Sequence, residues 1–251
     1  MQAMNGSLGV MDTITAAVNQ LWAERKIVAW LLILVGFVGG LLDWGFSKVL
    51  GDNENGWLYV LAVINTMIYT VLAVRVHRLV LGVENPVQGV VRWTRRETKF
   101  LGWLVVVYFY YFFLVAVAFG VVAGIIGTLL PFEVDAWLVA TLAALVLLPA
   151  AYLSARLSVL LPAIAIDQKR NLAWAWALTE GNGWRLVWLL WVLPILVSAL
   201  LPDAERTSFI ESAALGLFFG VFTAIQIALL SVAFKGMGGF TELEEAIPSA
   251  E

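Results

Sequence analysis

The 251-residue chain contains no cysteine and a single histidine, His77. Disulfide bonds, thiolate metal sites and metal sites built from several histidines are therefore excluded. Charged residues are scarce, because only 13% of the chain is Asp, Glu, Lys or Arg, against about 25% in an average soluble domain. The motifs GxSxG, HExxH and the Walker phosphate loop are absent as well. The sequence thus predicts no metal, no cofactor and no familiar catalytic centre.

Apolar residues dominate what is present, at 62% of the sequence with a mean hydropathy of +0.91. A hydrocarbon core of ~30 Å requires about 20 helical residues, and an open strand would leave backbone groups unpaired in lipid. Six apolar segments are long enough: about 27–46, 57–81, 100–130, 136–162, 184–201 and 209–234. We predict an all-α polytopic membrane protein with six transmembrane helices. Residues 1–235 form one membrane domain, followed by a flexible acidic cytoplasmic tail, 236–251.

Lysine and arginine are segregated along the chain. Thirteen of the 15 lie at or beside one end of the predicted spans, and only Lys48 and Arg206 lie at the other end. The positive-inside rule then places both termini in the cytoplasm. The same segregation explains the basic clusters without nucleic acid, which is not a predicted partner.

Two stretches, Asn85–Trp103 and Asn171–Trp188, look like variants of one unit, and Asp12–Trp30 is a looser copy. Each opens at a residue that suits a helix cap, runs through a short amphipathic segment and enters an apolar run near a Trp. The sequence therefore predicts an internal repeat of three transmembrane hairpins, each preceded by a cytoplasmic interfacial amphipathic helix.

The pattern within each copy gives more specific predictions. In the second copy a helix from Asn85 to Lys99 would place valines on one face and basic residues elsewhere. In the first copy, Asp12 or Thr13 would cap the helix and an apolar face would lie in the lipid, formed by Ile14, Val18, Leu21 and Trp22. In the third copy Asn171 is the predicted cap, and Gly181 and Gly183 end the helix.

The cytoplasmic basic residues are candidate sites for the headgroups of anionic membrane lipids, because that leaflet is negatively charged. The predicted headgroup-binding residues are Arg92, Arg95, Arg96, Lys99, Arg156 and Arg185.

Three GxxxG spacings predict close helix packing, because small residues four apart let two helices approach. They are Gly36/Gly40, Gly120/Gly124 and Gly216/Gly220, in spans one, three and six. We expect these spans to meet in the outer half of the membrane, with the inner half more open.

The third span contains six consecutive aromatic residues, Tyr108–Phe113. Six in a row cover every side of a helix, and a tyrosine hydroxyl within a bilayer favours a polar partner. Tyr108, Tyr110 and Tyr111 are candidate contacts for a flat apolar ligand. The alternative interpretation is ordinary aromatic packing and an interfacial belt.

A family resemblance is carried by residues 154–186, SARLSVLLPAIAIDQKRNLAWAWALTEGNGWRL, and by Leu229–Phe234. Its elements are Arg156-Leu157-Ser158, Pro162, Asp167, Ala175-Trp176, Thr179, Gly181-Asn182 and Trp184-Arg185. This stretch resembles a poorly characterised family of bacterial six-span inner-membrane proteins, similar to the membrane domain fused to some glycerophosphodiester phosphodiesterases. The resemblance implies a location in the bacterial inner membrane. It does not imply phosphodiesterase activity, because these 251 residues hold no counterpart of the catalytic domain.

With packing motifs and basic helices but no reaction centre, the sequence favours a non-enzymatic accessory or scaffold protein that associates with lipids and another membrane complex. The alternative is a transporter or flippase-like protein for a lipid or amphiphile, favoured by the repeated hairpins and by Pro149 and Pro194. A third hypothesis is a membrane enzyme that acts on lipid headgroups through Arg156 and Asp167.

These hypotheses predict different geometry. A transporter would have a polar cavity that reaches mid-membrane near Asn65, Pro149, Pro194 or Gln226. An enzyme would bring carboxylates together near Arg156, and a scaffold would instead present a broad apolar face.

Overall fold

The computed structural model describes residues 8–50, 57–83, 93–129, 136–199 and 209–240. Within these ranges the chain is helical and has no β-strand. The helices are α1 Val10–Ala23, α2 Arg25–Leu50, α3 Trp57–Val80, α4 Arg95–Leu129, α5 Ala136–Leu157, α6 Leu160–Ala165, α7 Leu172–Leu178, α8 Gly183–Val187, α9 Leu193–Ala199 and α10 Phe209–Gly236. Five of them are long and apolar enough to cross a membrane, or six if a bent pair counts as one span. The all-helical class and the presence of several helices long and apolar enough to span a membrane are therefore confirmed, whereas the three-hairpin repeat stays a prediction.

The fourth predicted span is divided between α5 and α6. Ser158 and Val159 form a turn between the two helices. Pro162 explains the break, because it has no N–H for the carbonyl of Ser158 and its ring would clash with that carbonyl in a continuous helix. By contrast, Pro149 lies inside α5 without interrupting it.

The helix that leads into the fifth span turns sharply. The axis of α7 makes an angle of 101° with the segment Gly183–Ala199. Asn171 caps α7 as predicted, since its side chain accepts a hydrogen bond from the Trp174 amide at 2.9 Å. Gly181 occupies the turn with a φ of +74°, a backbone conformation that glycine adopts without steric cost.

A π-helical turn, Trp188–Val192, joins α8 to α9. The Leu193 amide donates to the carbonyl of Trp188, five residues earlier. Pro194 follows at once and has no N–H for the Leu190 carbonyl, so the wider turn accommodates the proline ring without ending the span.

The first amphipathic segment is helical, but its start and its faces differ from the prediction. The N-cap is Gly9, and Asp12 and Thr13 lie inside α1. Leu21 is buried in the protein core, whereas Trp22 is exposed. The helix therefore packs one apolar face on the bundle and leaves a second one uncovered.

The second amphipathic segment is not one helix from Asn85 to Lys99. Trp93 and Thr94 are not helical, and α4 begins at Arg95. Residues 85–92 lie outside the described part of the chain, so the surface helix predicted there stays a prediction.

The closest helix contact joins α2 and α10, which run antiparallel. A Cβ added at Gly36 would lie 2.6 Å from the Leu217 side chain, and one at Gly40 would lie 2.7 Å from the Ala213 Cα. A Cβ at Gly216 would lie 3.1 Å from the Gly36 carbonyl oxygen. Two of the GxxxG motifs thus face each other. The helices can approach so closely only because glycine has no side chain at these positions.

The third GxxxG motif does not take part in this contact. A Cβ added at Gly120 or Gly124 would meet no described atom within 4 Å, and Gly220 would approach only Leu32, at 3.4 Å. Within the described residues, span three therefore does not join the contact between spans one and six.

The buried side chains among the described residues concentrate at one end of the bundle, which we call the basic end. Here α3, α6 and α10 finish and α2 and α4 begin. Two apolar clusters form the core, one centred on α5, α6, α8 and the end of α10, the other on α1, α2 and α3. Among the described residues the tightly packed half is thus the basic half. The predicted tight packing of the outer half is represented among these residues by the GxxxG contact between α2 and α10.

The chain remains packed beyond the end of α10. Met237 and Phe240 contact the core, and the Gln168 side-chain amide donates to the Gly239 carbonyl at 3.3 Å. Residues 236–240, predicted as the start of a flexible tail, therefore belong to the folded structure.

Candidate functional site

A buried polar cluster lies at the basic end, where the last turn of α3 meets the first turn of α4, the end of α6 and the last turns of α10. The fully or largely buried polar side chains of this region are Arg75, His77, Arg78, Glu97, Arg156, Thr179, Asn182 and Ser231. Ionisable groups inside a membrane protein are costly unless they are paired, so each of them requires a partner.

The first turn of α4 is closed by a capping box formed by Thr94 and Glu97. Oε2 of Glu97 accepts from the Thr94 backbone amide at 2.7 Å and also from the Thr94 hydroxyl. The Arg96 amide in turn donates to Oγ1 of Thr94 at 3.2 Å. Glu97 is completely buried, and Arg75 is close enough to attract its carboxylate. The sequence signal for this site was T-x-x-E before an apolar run, and our sequence analysis missed it.

Asp167 links α3, α4 and α6. Its Oδ2 accepts from Nε and Nη2 of Arg96 at 2.9 Å and 2.6 Å, and lies 3.6 Å from Nη1 of Arg78. Nη1 of Arg78 also donates to the carbonyl of Ala165, the last residue of α6, at 3.0 Å. A cation at a helix C-terminus is stabilising because it donates hydrogen bonds to the last carbonyl groups, which lack partners in the helix, and because it lies at the negative end of the helix dipole.

The backbone of Asp167 has a conformation that is usual for glycine, with a φ of +63°. The amides of Asp167 and Gln168 donate to Ile164 and Ala163, at 3.0 Å and 2.9 Å, which is the Schellman pattern at the end of a helix. The ends of α3 and α10 have the same pattern, with Gly82 and Gly238 at the left-handed position. Only α6 places an aspartate there, and its carboxylate is the group that binds the two arginines.

His77 bonds across the bundle to α10. Its Nδ1 lies 2.7 Å from Oγ of Ser231, whose hydroxyl donates to the Ile227 carbonyl at 2.9 Å. Because the serine hydrogen is used in that bond, His77 donates from Nδ1. Its ring also packs at 5.7 Å from the ring of Phe100, so His77 joins α3 to both α4 and α10.

Arg156 closes the end of α7. It donates from Nε to the Thr179 hydroxyl at 2.8 Å, from Nη2 to the Trp176 carbonyl and from Nη1 to the Tyr152 hydroxyl at 3.3 Å. The guanidinium also lies 3.5 Å from the centroid of the Trp176 ring. Hydrogen bonds to helix-terminal carbonyls and a cation–π contact thus stabilise this buried charge.

The residues predicted to bind lipid headgroups fall into different environments. Arg95 and Lys99 are exposed on the first turns of α4. Arg96 and Arg156 direct their guanidinium groups into the protein, and Arg185 donates to Oδ1 of Asn182 at 3.0 Å. Arg92 lies outside the described residues.

The aromatic run on α4 faces mostly outward. Tyr108 and Tyr110 are 48% and 46% exposed, and Phe109 and Phe113 stack on each other at 5.9 Å. Among the described residues, Tyr111 alone in this run stacks on an aromatic ring of another segment, that of Trp191, at 4.4 Å. This contact joins α4 to the π-helical turn before Pro194.

The candidate transport and catalytic residues do not converge within the described part of the chain. Asn65 is half-buried, and a Cβ at Gly39 would lie 3.9 Å from its Oδ1. Asp167 pairs with Arg96 and Arg78, whereas Arg156 bonds to hydroxyls and a carbonyl. Among the described residues, no group of three or more histidine, aspartate or glutamate side chains could hold a metal ion.

Comparison with known proteins found no family model that matches the chain, and no curated protein or solved structure that is detectably similar to it. The family resemblance of residues 154–186 therefore stays a prediction.

Proposed function

We propose that this chain is a non-enzymatic accessory or scaffold protein of the bacterial inner membrane, with both termini in the cytoplasm. It associates with lipids and, through α4, with another membrane protein. The observation that supports this proposal best is the exposure of α4, the longest helix, whose apolar window is almost entirely unburied.

The exposed face of α4 has projecting rings that a partner helix could pack against and hydroxyl groups to which it could hydrogen-bond. Phe109 and Phe113 project from its middle, and Gly120 leaves open space beyond them. The hydroxyl groups of Tyr108 and Tyr110 make no hydrogen bond within the described residues, and a polar group in hydrocarbon favours one. A neighbouring transmembrane helix with an acceptor at this depth would satisfy them.

The buried polar cluster supports a structural role for the basic end. Asp167, Arg156 and His77 form bonds that join helix ends to one another. Asp167 and His77 thus connect α3, α4, α6 and α10, and Arg156 connects α5 to the end of α7. Each of these three side chains is thus used in a contact between helical segments.

We also propose that the basic end faces the cytoplasm and that α1 lies on the membrane surface. The ends of the spans at the basic end hold most of the Lys and Arg, which favours a cytoplasmic location. In α1, the exposed residues Met11, Val18 and Trp22 are spaced for one helix face. We expect this face to lie in the membrane interface, while Leu21 anchors the helix to the bundle.

A partner bound to α4 is tested by extraction into native-lipid discs, followed by mass photometry and mass spectrometry of the particles. The wild-type protein is expected to carry a partner at a fixed ratio. The variant F109A/F113A removes the projecting rings from α4 and is expected to lose that partner. F218A/F219A removes an equivalent exposed aromatic pair from α10 and serves as the matched control.

Two results would contradict the scaffold proposal. One is a wild-type particle that contains a single copy of the chain and no other protein. The other is a partner that is retained by F109A/F113A as well as by the control.

A transporter or flippase-like protein for a lipid is the second candidate, favoured by the π-helical turn next to Pro194. Such turns are frequent at functional sites. The test is transfer of a fluorescent phospholipid between leaflets of reconstituted vesicles. A scaffold gives the rate of empty vesicles, whereas a transporter gives a faster rate that falls in P194A and persists in P149A.

A further inference from the structure

Two basic side chains stand exposed on one face at the start of α4. Arg95 and Lys99 are four residues apart and are therefore neighbours on the helix surface. Neither forms a hydrogen bond or ion pair with the described residues. Arg96, which lies between them in sequence, is instead bound to Asp167. The two exposed cations are thus available to a ligand.

The same face continues into the membrane as a smooth apolar strip. Gly102 and Val106 follow Arg95 at i+7 and i+11, and Phe113 follows at i+18. A Cβ added at Gly102 would meet no described atom within 4 Å, so this position is a shallow groove. Val106 and Phe113 are exposed below it. At 1.5 Å per residue, the strip from Lys99 to Phe113 is roughly 21 Å long, which exceeds the ~15 Å depth of one leaflet.

The helix amides themselves do not provide the anion site. The capping box of Thr94 and Glu97 already satisfies the start of α4, and Glu97 places a carboxylate there. An anion near α4 must therefore be held by side chains. Arginine binds phosphate oxygens through its planar donor fork, and lysine adds a second charge.

We propose that one anionic phospholipid binds along this face of α4. Its phosphate lies between Arg95 and Lys99, and an acyl chain occupies the groove at Gly102 and continues past Val106 towards Phe113. Charge complementarity favours a lipid with a net negative headgroup over a zwitterionic one. The inference rests on the proposed lipid association and names its site, and it does not depend on the partner protein.

The test uses the full-length protein in discs of phosphatidylcholine that contain a minor fraction of phosphatidylglycerol. The protein is moved to mild detergent, and retained lipid is counted by native mass spectrometry. Wild type is expected to retain one phosphatidylglycerol. R95Q/K99Q is expected to weaken retention about 25-fold, at about fivefold for each charge removed. G102L leaves both charges in place and fills the groove, and it is also expected to lose the lipid.

Two controls separate this site from general attraction and from misfolding. R25Q/K26Q removes the same charge from exposed residues at the start of α2, and G120L adds the same side chain at an open position elsewhere on α4. Both are expected to retain the lipid, with unchanged thermal unfolding in all four variants. The proposal is overturned if wild type retains no phosphatidylglycerol, if G102L retains it, or if R25Q/K26Q loses it to the same extent as R95Q/K99Q. Loss of the lipid without loss of the α4 partner would leave the scaffold function intact.

Discussion

The carboxylate of Asp167 accepts a hydrogen bond of 2.6 Å from the guanidinium of Arg96, and the backbone of Asp167 is in the left-handed conformation. Non-glycine residues are uncommon there, and aspartate and asparagine are among those that tolerate it best. The backbone at this position favours glycine, whereas the ion pair requires a carboxylate. The presence of aspartate at this position is therefore explained by its contacts with Arg96 and Arg78, because the turn alone would favour glycine.

Substitutions of Asp167 separate these two effects. D167A loses the carboxylate and keeps a Cβ at a φ of +63°, so we expect it to lower the free energy of unfolding by about 2 kcal/mol. D167G loses the same carboxylate but relieves the backbone, so its loss should be about 1 kcal/mol smaller. Urea unfolding followed by circular dichroism in detergent measures both. Equal losses in D167A and D167G would show that the backbone conformation contributes nothing.

The capping box at the start of α4 predicts coupled effects at Thr94 and Glu97. T94A removes the N-cap hydroxyl, which typically costs about 1 kcal/mol. E97A removes the acceptor of the Thr94 amide and leaves Arg75 beside an apolar residue, so its cost should be larger. Because both side chains belong to one hydrogen-bonded unit, the double variant should destabilise by at least ~0.5 kcal/mol less than the sum of the single variants. Strict additivity in this double-mutant cycle would contradict the capping box.

The long helices and the cap of α7 could be predicted from the sequence because they depend on local properties. Apolar runs of sufficient length determine the spans, and Asn171 needs only its own first turn to act as a cap. The capping box of Thr94 and Glu97 was equally local, and it could have been found from T-x-x-E. The break before Pro162 has a local cause in the missing N–H of proline, yet Pro149 lacks the same N–H and does not interrupt α5, so the sequence does not predict which proline breaks a helix.

The contacts between distant segments could not be predicted in this way. Gly36/Gly40 and Gly120/Gly124 have the same spacing, yet only the first pair packs on another described helix. Which glycine pair packs against another helix depends on the arrangement of the helices in the bundle, and the spacing of the glycines alone does not predict that arrangement. The pairing of Arg96 with Asp167, 71 positions apart, and the use of Arg156 to close α7 depend on the tertiary structure for the same reason.

The antiparallel contact between α2 and α10 predicts a strong effect of bulk at Gly40. G40L would place a side chain where even a Cβ lies 2.7 Å from the Ala213 backbone, so α2 and α10 must separate. Overpacking of this kind typically costs about 1–3 kcal/mol. G120L, on an open face of α4, should leave the unfolding midpoint unchanged.

The absence of cysteine in the sequence allows a direct test of that register. In G40C/A213C the two Cβ atoms would lie about 3.1 Å apart, slightly closer than the usual 3.5–4.5 Å of a disulfide, so a small shift permits the bond. We expect oxidation to cross-link the pair, seen as a shift in electrophoretic mobility that reductant reverses. G120C/A213C should remain uncross-linked. Cross-linking in the second pair alone would show that α10 packs on α4 and not on α2.

The bond between His77 and Ser231 predicts that removing both partners is less harmful than removing one. S231A leaves the Nδ1–H of His77 buried without an acceptor, and an unsatisfied buried donor costs about 1–3 kcal/mol. H77F/S231A removes the donor too and keeps a ring against Phe100, so we expect it to recover much of that loss. Unfolding curves of S231A, H77F and the double variant give the coupling between the two sites. If H77F/S231A is destabilised by the full sum of its parts, His77 is held by packing and the hydrogen bond to α10 contributes little.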